Sequence, residues 1–234
     1  MIARRIFLVT AAAAALSACG GLIGPPEDGS MYVIRPVFPP AATGAKVNWS
    51  LAILRPDVPG GLDSNRVSLV QPDGTMDYFA KATYPDRLPE SVQRALLDGF
   101  EASGRIDAVA REEAALHSDY NLLVEVKDFA AHYAAPDGIP TVTVNLMARL
   151  TTAHGRKILA SKPFVVNGTA SVNNTGAVVA ALQQALATAV TDIVAWTLES
   201  APAVAPGQSP ETASPGKPAE QLLHDVSRGK KSSQ

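Results

Sequence analysis

Apolar positions along this chain switch between a spacing of two and a spacing of three to four, and the switches mark its elements. Tyr32-Val33-Ile34 and Trp49 to Leu54 read as strands, the second with the alternation of a half-buried sheet. Arg66 to Val70 and Asp77 to Ala80 flank Pro72-Asp73-Gly74, and this turn chemistry predicts a β-hairpin. Pro89 suits the first turn of a helix, in which Val92, Leu96, Phe100 and Ser103 recur at helical spacing until Gly104 offers a stop. Leu122, Val124 and Val126 alternate with Leu123, Glu125 and Lys127, which predicts a strand with one wet face. Thr141 to Thr152 and Ile158 to Val166 continue the sheet through a turn near His154-Gly155. A last helix opens at Asn174-Thr175 and carries Val179, Leu182, Leu186, Ala189, Ile193 and Trp196 or Thr197 on one face. Strands, a helix, more strands and a closing helix predict an α+β domain: a largely antiparallel sheet with two helices packed on one face.

The ends do not fit this pattern. Arg4 and Arg5 precede an alanine-rich apolar run from Ile6 to Leu16, too short to span a bilayer permanently, and no acidic residue interrupts it. Leu16-Ser17-Ala18-Cys19 follows and resembles the lipobox of bacterial lipoproteins, whose cysteine thiol accepts a diacylglyceryl group. Residues 1–18 are therefore expected to be a signal peptide and Cys19 the lipid attachment. As the single cysteine of the chain it rules out an internal disulfide. Residues 19–30, rich in Gly and Pro, read as a tether, and residues 31–200 as the domain. Residues 201–234, with Pro202, Pro206, Pro210, Pro215 and Pro218 among Ala and Ser, read as a disordered tail. Beyond the leader, no stretch reads as long and apolar enough to span a bilayer. Gly20, where lipoproteins retained at the inner membrane typically carry Asp, favours the outer membrane with the domain facing the periplasm.

Composition narrows the function. The 234 residues are 47% hydrophobic, enough for one ordinary core. The formal charge is −2 and becomes more negative once Arg4 and Arg5 leave with the signal, which argues against nucleic acid as a partner. No G-x-S-x-G turn, phosphate-binding glycine loop or H-E-x-x-H is present, and His117, His132, His154 and His224 lack metal-ligand spacing. Neither an enzyme nor a metal or other cofactor is expected. Glu112-Glu113 and Asp119 read as a solvated face.

One segment stands apart. From Leu62 to Pro89 the charges Asp63, Arg66, Asp77, Asp86 and Arg87 are interleaved with Tyr78, Phe79 and Tyr84, and arginine and aromatic residues are what partner surfaces favour. Arg66, Tyr78, Tyr84, Asp86 and Arg87 are the candidate partner-binding residues. The bland alternative is that the aromatics are core and the charges cap turns.

The same segment resembles the ABC-type transport auxiliary lipoproteins, relatives of the PqiC component of a lipid-transport system. The resemblance rests on Leu62-Asp63-x-x-Arg66, Asp77-Tyr78, an aromatic before Asp86-Arg87-Leu88-Pro89, and a helix ending Phe100-x-x-Ser103-Gly104. It continues through Ser118-Asp119-Tyr120-Asn121-Leu122, Asp128-Phe129 and Trp196-Thr197-Leu198, with Tyr84 standing where many members have tryptophan. It implies a non-catalytic subunit of an MCE-type (mammalian-cell-entry) ABC transporter moving lipids between inner and outer membranes. Partners would be an MCE-domain protein with its permease and ATPase, self-association being left open. A lipid-binding carrier lipoprotein is the alternative; it should show apolar residues on both strand faces, whereas Leu122 to Lys127 alternates.

Overall fold

The computed structural model describes residues 29–39, 44–114, 117–154 and 157–203. The expectations that fall on residues 1–28 and 204–234, Cys19 and the proline-rich tail among them, lie outside the described residues. The elements in chain order are β1 (Ser30–Met31), β2 (Leu51–Ile53), β3 (Arg66–Val70), β4 (Met76–Thr83), α1 (Leu88–Ser103), β5 (Val109–Arg111), β6 (Tyr120–His132), β7 (Thr141–Thr152), β8 (Ile158–Thr169) and α2 (Thr175–Ser200).

The eight strands form one sheet, and it is mixed rather than largely antiparallel. β6, β7 and β8 form the expected antiparallel meander, and β3 pairs antiparallel with β4. The other four pairings, β1 with β4, β2 with β5, β2 with β6 and β3 with β6, are parallel. The physical reason is the length of β6. One edge of this strand carries β7 along its whole length, while the other is shared end to end by two short strands, β2 against Leu51↔Tyr120 and β3 against Leu69↔Ala131. Both run the same way as β6, because the chain makes an excursion through β4 and α1 before it returns.

Two strand expectations need correction. Residues 32–34 are not a strand, although the Tyr32 N–H still donates to the Thr83 carbonyl at 2.8 Å. β2 spans only Leu51–Ile53, paired with β5 on one edge and β6 on the other, and its three residues are all buried with no alternation. In β6 the expected alternation holds from Tyr120 to Val126, and a bulge between Val126 and Asp128 then shifts the register.

Both helices serve one core. α1 carries Pro89 in its first turn and ends at Gly104, whose φ of 62° is a left-handed cap that lets its N–H reach the Glu101 carbonyl. α2 is capped by Asn174, whose side chain accepts from the Ala177 N–H at 2.8 Å. At 26 residues α2 is about 39 Å long. It lies over β6, β7 and β8 and against α1. Gly99 sets that crossing: a Cβ placed there would stand 2.4 Å from Cγ1 of Val190, so a side chain would drive the helices apart. Because α2 faces both the sheet and α1, its buried stripe is wider than expected and adds Val178, Ala185, Val190, Val194 and Leu198 to the predicted positions. Thr197 is fully buried, whereas Trp196 is half-buried against Phe164, ring centroids 5.7 Å apart. Contrary to the sequence reading, α2 is long and apolar enough to cross a membrane, but half of its most apolar window is buried within the domain.

Tyr120 closes the open end of the fold. Its ring meets Trp49 edge-on at 5.3 Å and its hydroxyl donates to the Pro202 carbonyl at 2.9 Å, pinning the exit of α2 to the start of β6. Removing the cap of α2 by Asn174→Ala is expected to cost about 1 kcal/mol. In a domain of this size that lowers Tm by roughly 2–4 °C in a calorimetric melt.

Candidate functional site

The segment with most of the candidate residues wraps a turn that the backbone builds first. Leu62 and Asp63 both donate their N–H groups to the Pro59 carbonyl, at 2.8 and 3.0 Å, and curl the chain ahead of β3. The start of α1 is fastened onto this turn: the Tyr84 N–H donates to the Asn65 carbonyl at 2.6 Å and the Leu88 N–H to the Ser64 carbonyl at 3.0 Å.

Side chains complete the attachment. Arg87 brings Nε to 3.0 Å from Asp63 Oδ1 and donates from Nη2 to the Asp63 carbonyl at 2.7 Å. Arg55 approaches the same carboxylate from Nη2 at 3.4 Å and donates from Nε to Glu90 Oε1 at 2.7 Å. The hydrogen bond to Glu90 raises the Arg55 pKa above its ordinary value, with burial opposing it and the nearby carboxylates of Glu90 and Asp63 assisting. Asp63 thus joins two arginines that are far apart in sequence. All these groups are partly exposed, so their worth lies in geometry more than in stability.

On the other side of the turn, the Arg66 guanidinium lies 4.1 Å from the centroid of the Tyr78 ring, whose hydroxyl donates to the Gly61 carbonyl at 2.7 Å. Arg66 and Arg87 are exposed and Tyr78 is half-buried, so these three flank one turn and are presented together. Opposite them β4 is irregular: its register against β3 shifts between Arg66 and Ser68, and Lys81 in the bulged stretch has φ 57°, a left-handed conformation uncommon for a non-glycine residue.

Two candidates separate from this group. Tyr84 is 2% exposed and belongs to the core, so its side chain is not offered to a partner. Its hydroxyl is buried without a hydrogen-bond partner, and burial pushes the phenol well above its usual pKa. The reason is the β-hairpin: the bonds of Tyr84 to Asn65 turn its ring inward beneath the start of α1. Asp86 is exposed but faces Arg94 at 3.7 Å, where it lines a cavity of about 230 Å³ with Arg35 and Ser91. Arg55, Glu90, Arg35 and Arg94 escaped the sequence reading. Glu90 and Arg94 are four apart on one helix and carried a faint signal; Arg55 and Arg35 carried none.

Elsewhere the surface offers less chemistry. Asp128 and His132 pair at 2.8 Å, and burial raises the Asp128 pKa while the histidine opposes the rise. Among the described residues no group of three or more His, Cys, Asp or Glu could hold a metal ion. The wet face of β6 is laced by Glu125, which contacts Lys127 and receives Arg149 at 3.2 and 3.3 Å.

The fold and the sequence have relatives. A family model described as ABC-type transport auxiliary lipoprotein component matches residues 32–194. A solved protein from Xanthomonas campestris, assigned to the family model DUF330, is 30% identical, with a TM-score of 0.68 over 73% of this chain and 95% of its own. A further solved structure, of an uncharacterized protein, is 20% identical, with a TM-score of 0.59 over 73% of this chain and 99% of its own, and so shares the fold. No curated protein matches. The family match runs from the segment after β1 almost to the end of α2 and takes in the whole Asp63–Arg87 attachment; the chain belongs to the ABC-type transport auxiliary lipoprotein component family.

Proposed function

We propose that the chain is a non-catalytic subunit of an MCE-type ABC transport system that moves lipids between the inner and outer membranes. In this reading it is held by a lipid on Cys19 at the outer membrane and faces the periplasm. The family match over residues 32–194 is the observation that carries the reading. The physical character of the domain agrees with it. One face of the central strands is filled by α1 and α2, and the other is wet and charged around Glu125 and Arg149, so the sheet is built as a solid support and not as a sleeve around an acyl chain. The carrier alternative gains no support from these strands.

The partner surface is assigned to Arg66, Tyr78 and Arg87, with Asp86 at its margin. An interface arginine or aromatic contributes on the order of 2 kcal/mol when truncated, roughly thirtyfold in affinity. The variants Arg66→Ala, Tyr78→Ala and Arg87→Ala are therefore expected to lose capture of the MCE-domain protein from detergent extracts. Their melting should stay within a few degrees of wild type, because the contacts they break are solvent-exposed ones. Undiminished capture by all three would remove this surface from the account.

A further inference from the structure

The cavity beside the start of α1 has the makings of an anion site. It is bounded by Val33, Ile34 and Arg35 of the segment after β1, by Pro85 and Asp86, and by Ser91 and Arg94 of α1. Ser91 and Arg94 are three apart on one helix, so both face the same way. Arg35 is exposed, and no carboxylate pairs with its guanidinium among the described residues. Arg94 has one loose partner, Asp86, at 3.7 Å. Two guanidinium groups against one carboxylate leave the cavity net positive.

A second observation is independent of charge. Ser91 is 8% exposed and lines the cavity, and among the described residues its hydroxyl makes no side-chain hydrogen bond. A hydroxyl so placed is open to the cavity and can bond a ligand oxygen in place of water. The volume, about 230 Å³, is below the roughly 300–1,000 Å³ of sites for drug-sized ligands, so it suits a headgroup and not an acyl chain.

What lies next to the cavity indicates where such a ligand comes from. Val33 at its lip is 46% exposed, and on the same segment Met31 is 66% and Val37 86% exposed. This apolar strip belongs to the stretch of chain that leaves the tether. About ten residues separate Cys19 from Gly29, a reach of at most roughly 36 Å, so a lipid on Cys19 would keep the strip and the cavity close to a bilayer surface.

We infer that the Arg35–Ser91–Arg94 cavity binds the phosphate of an anionic phospholipid headgroup, with Met31, Val33 and Val37 resting against the adjoining apolar chains. Guanidinium groups and a hydroxyl donor suit phosphate oxygens, and Asp86 serves as the counter-charge that Arg94 exchanges for the ligand. The inference rests on the lipid-anchored part of the proposed function but not on the identity of the transporter, so partner capture and headgroup binding fail separately.

The test is native mass spectrometry of the full lipoprotein released from non-ionic detergent, with dihexanoyl phosphatidylglycerol, dihexanoyl glycerol or inorganic phosphate as probe. Wild type should retain phosphatidylglycerol at least tenfold better than dihexanoyl glycerol. Arg35→Gln combined with Arg94→Gln should remove that preference, Ser91→Ala should weaken it several-fold, and Asp86→Asn should strengthen it. Equal retention of phosphatidylglycerol by wild type and the double arginine variant would overturn the site. Inorganic phosphate competing as well as phosphatidylglycerol, mole for mole, would overturn the lipid as its source.

Discussion

Tyr84→Ala is expected to destabilise the domain by about 3 to 5 kcal/mol, the scale for truncating a large buried aromatic. The ring is 2% exposed and packs in the same cluster as Leu62, Val67, Leu88 and Val92, so its loss opens a cavity between the β3–β4 hairpin and α1. In a domain of this size the change lowers Tm by at least roughly 6 °C. Tyr84→Phe separates the ring from its hydroxyl. That hydroxyl is buried without a partner, so its removal should leave stability unchanged or raise it by about 1 kcal/mol or more. The two variants also differ in alkali. Burial raises the folded-state pKa of Tyr84, so its contribution is fully present below the unfolded value of about 10 and is lost as pH rises beyond it. Wild type should therefore lose Tm between about pH 10 and 11 more steeply than Tyr84→Phe. Parallel pH profiles of the two proteins would mean that the phenol is not held neutral by burial.

Cys19→Ala is expected to move the protein from the membrane fraction into an uncleaved or soluble form and to abolish labelling by an alkyne fatty acid. Each buried methylene contributes about 0.8 kcal/mol, so several acyl chains together hold a lipoprotein almost irreversibly. The exposed strip of Met31, Val33 and Val37 is too small to anchor the domain by itself. Continued labelling of the variant would place the lipid elsewhere or remove it from the account.

The elements that the sequence announced were those whose reasons are local. Asn174 caps α2, Gly104 stops α1, Pro72-Asp73-Gly74 turns the hairpin, and the alternation of β6 up to Val126 follows from one face in the core and one in water. What stayed hidden depends on distant partners. Parallel pairing of β2 and β3 with β6 leaves no mark on three to five residues, because direction is set by the excursion between them. The alternation read from Trp49 to Leu54 gives way to burial of all three β2 residues, which depends on what packs over them. In the candidate site, Arg66, Tyr78 and Arg87 were legible as types that interfaces favour. Tyr84 has the same composition signal but is core, and only its backbone bonds to Asn65 decide which way the ring turns. Arg55 joined the group through Asp63 and Glu90, across 35 residues, and no spacing rule reaches that far.

The most direct test of the account is the identity of the complex this lipoprotein forms in its own envelope. Affinity capture of the full, lipidated chain from mildly solubilised membranes, followed by quantitative mass spectrometry, should recover an MCE-domain protein together with its permease and ATPase. Their yield should fall with the Arg66, Tyr78 and Arg87 variants and not with Asn174→Ala. Recovery of the chain without any ABC transport component, under conditions that keep a known envelope complex intact, would contradict the account.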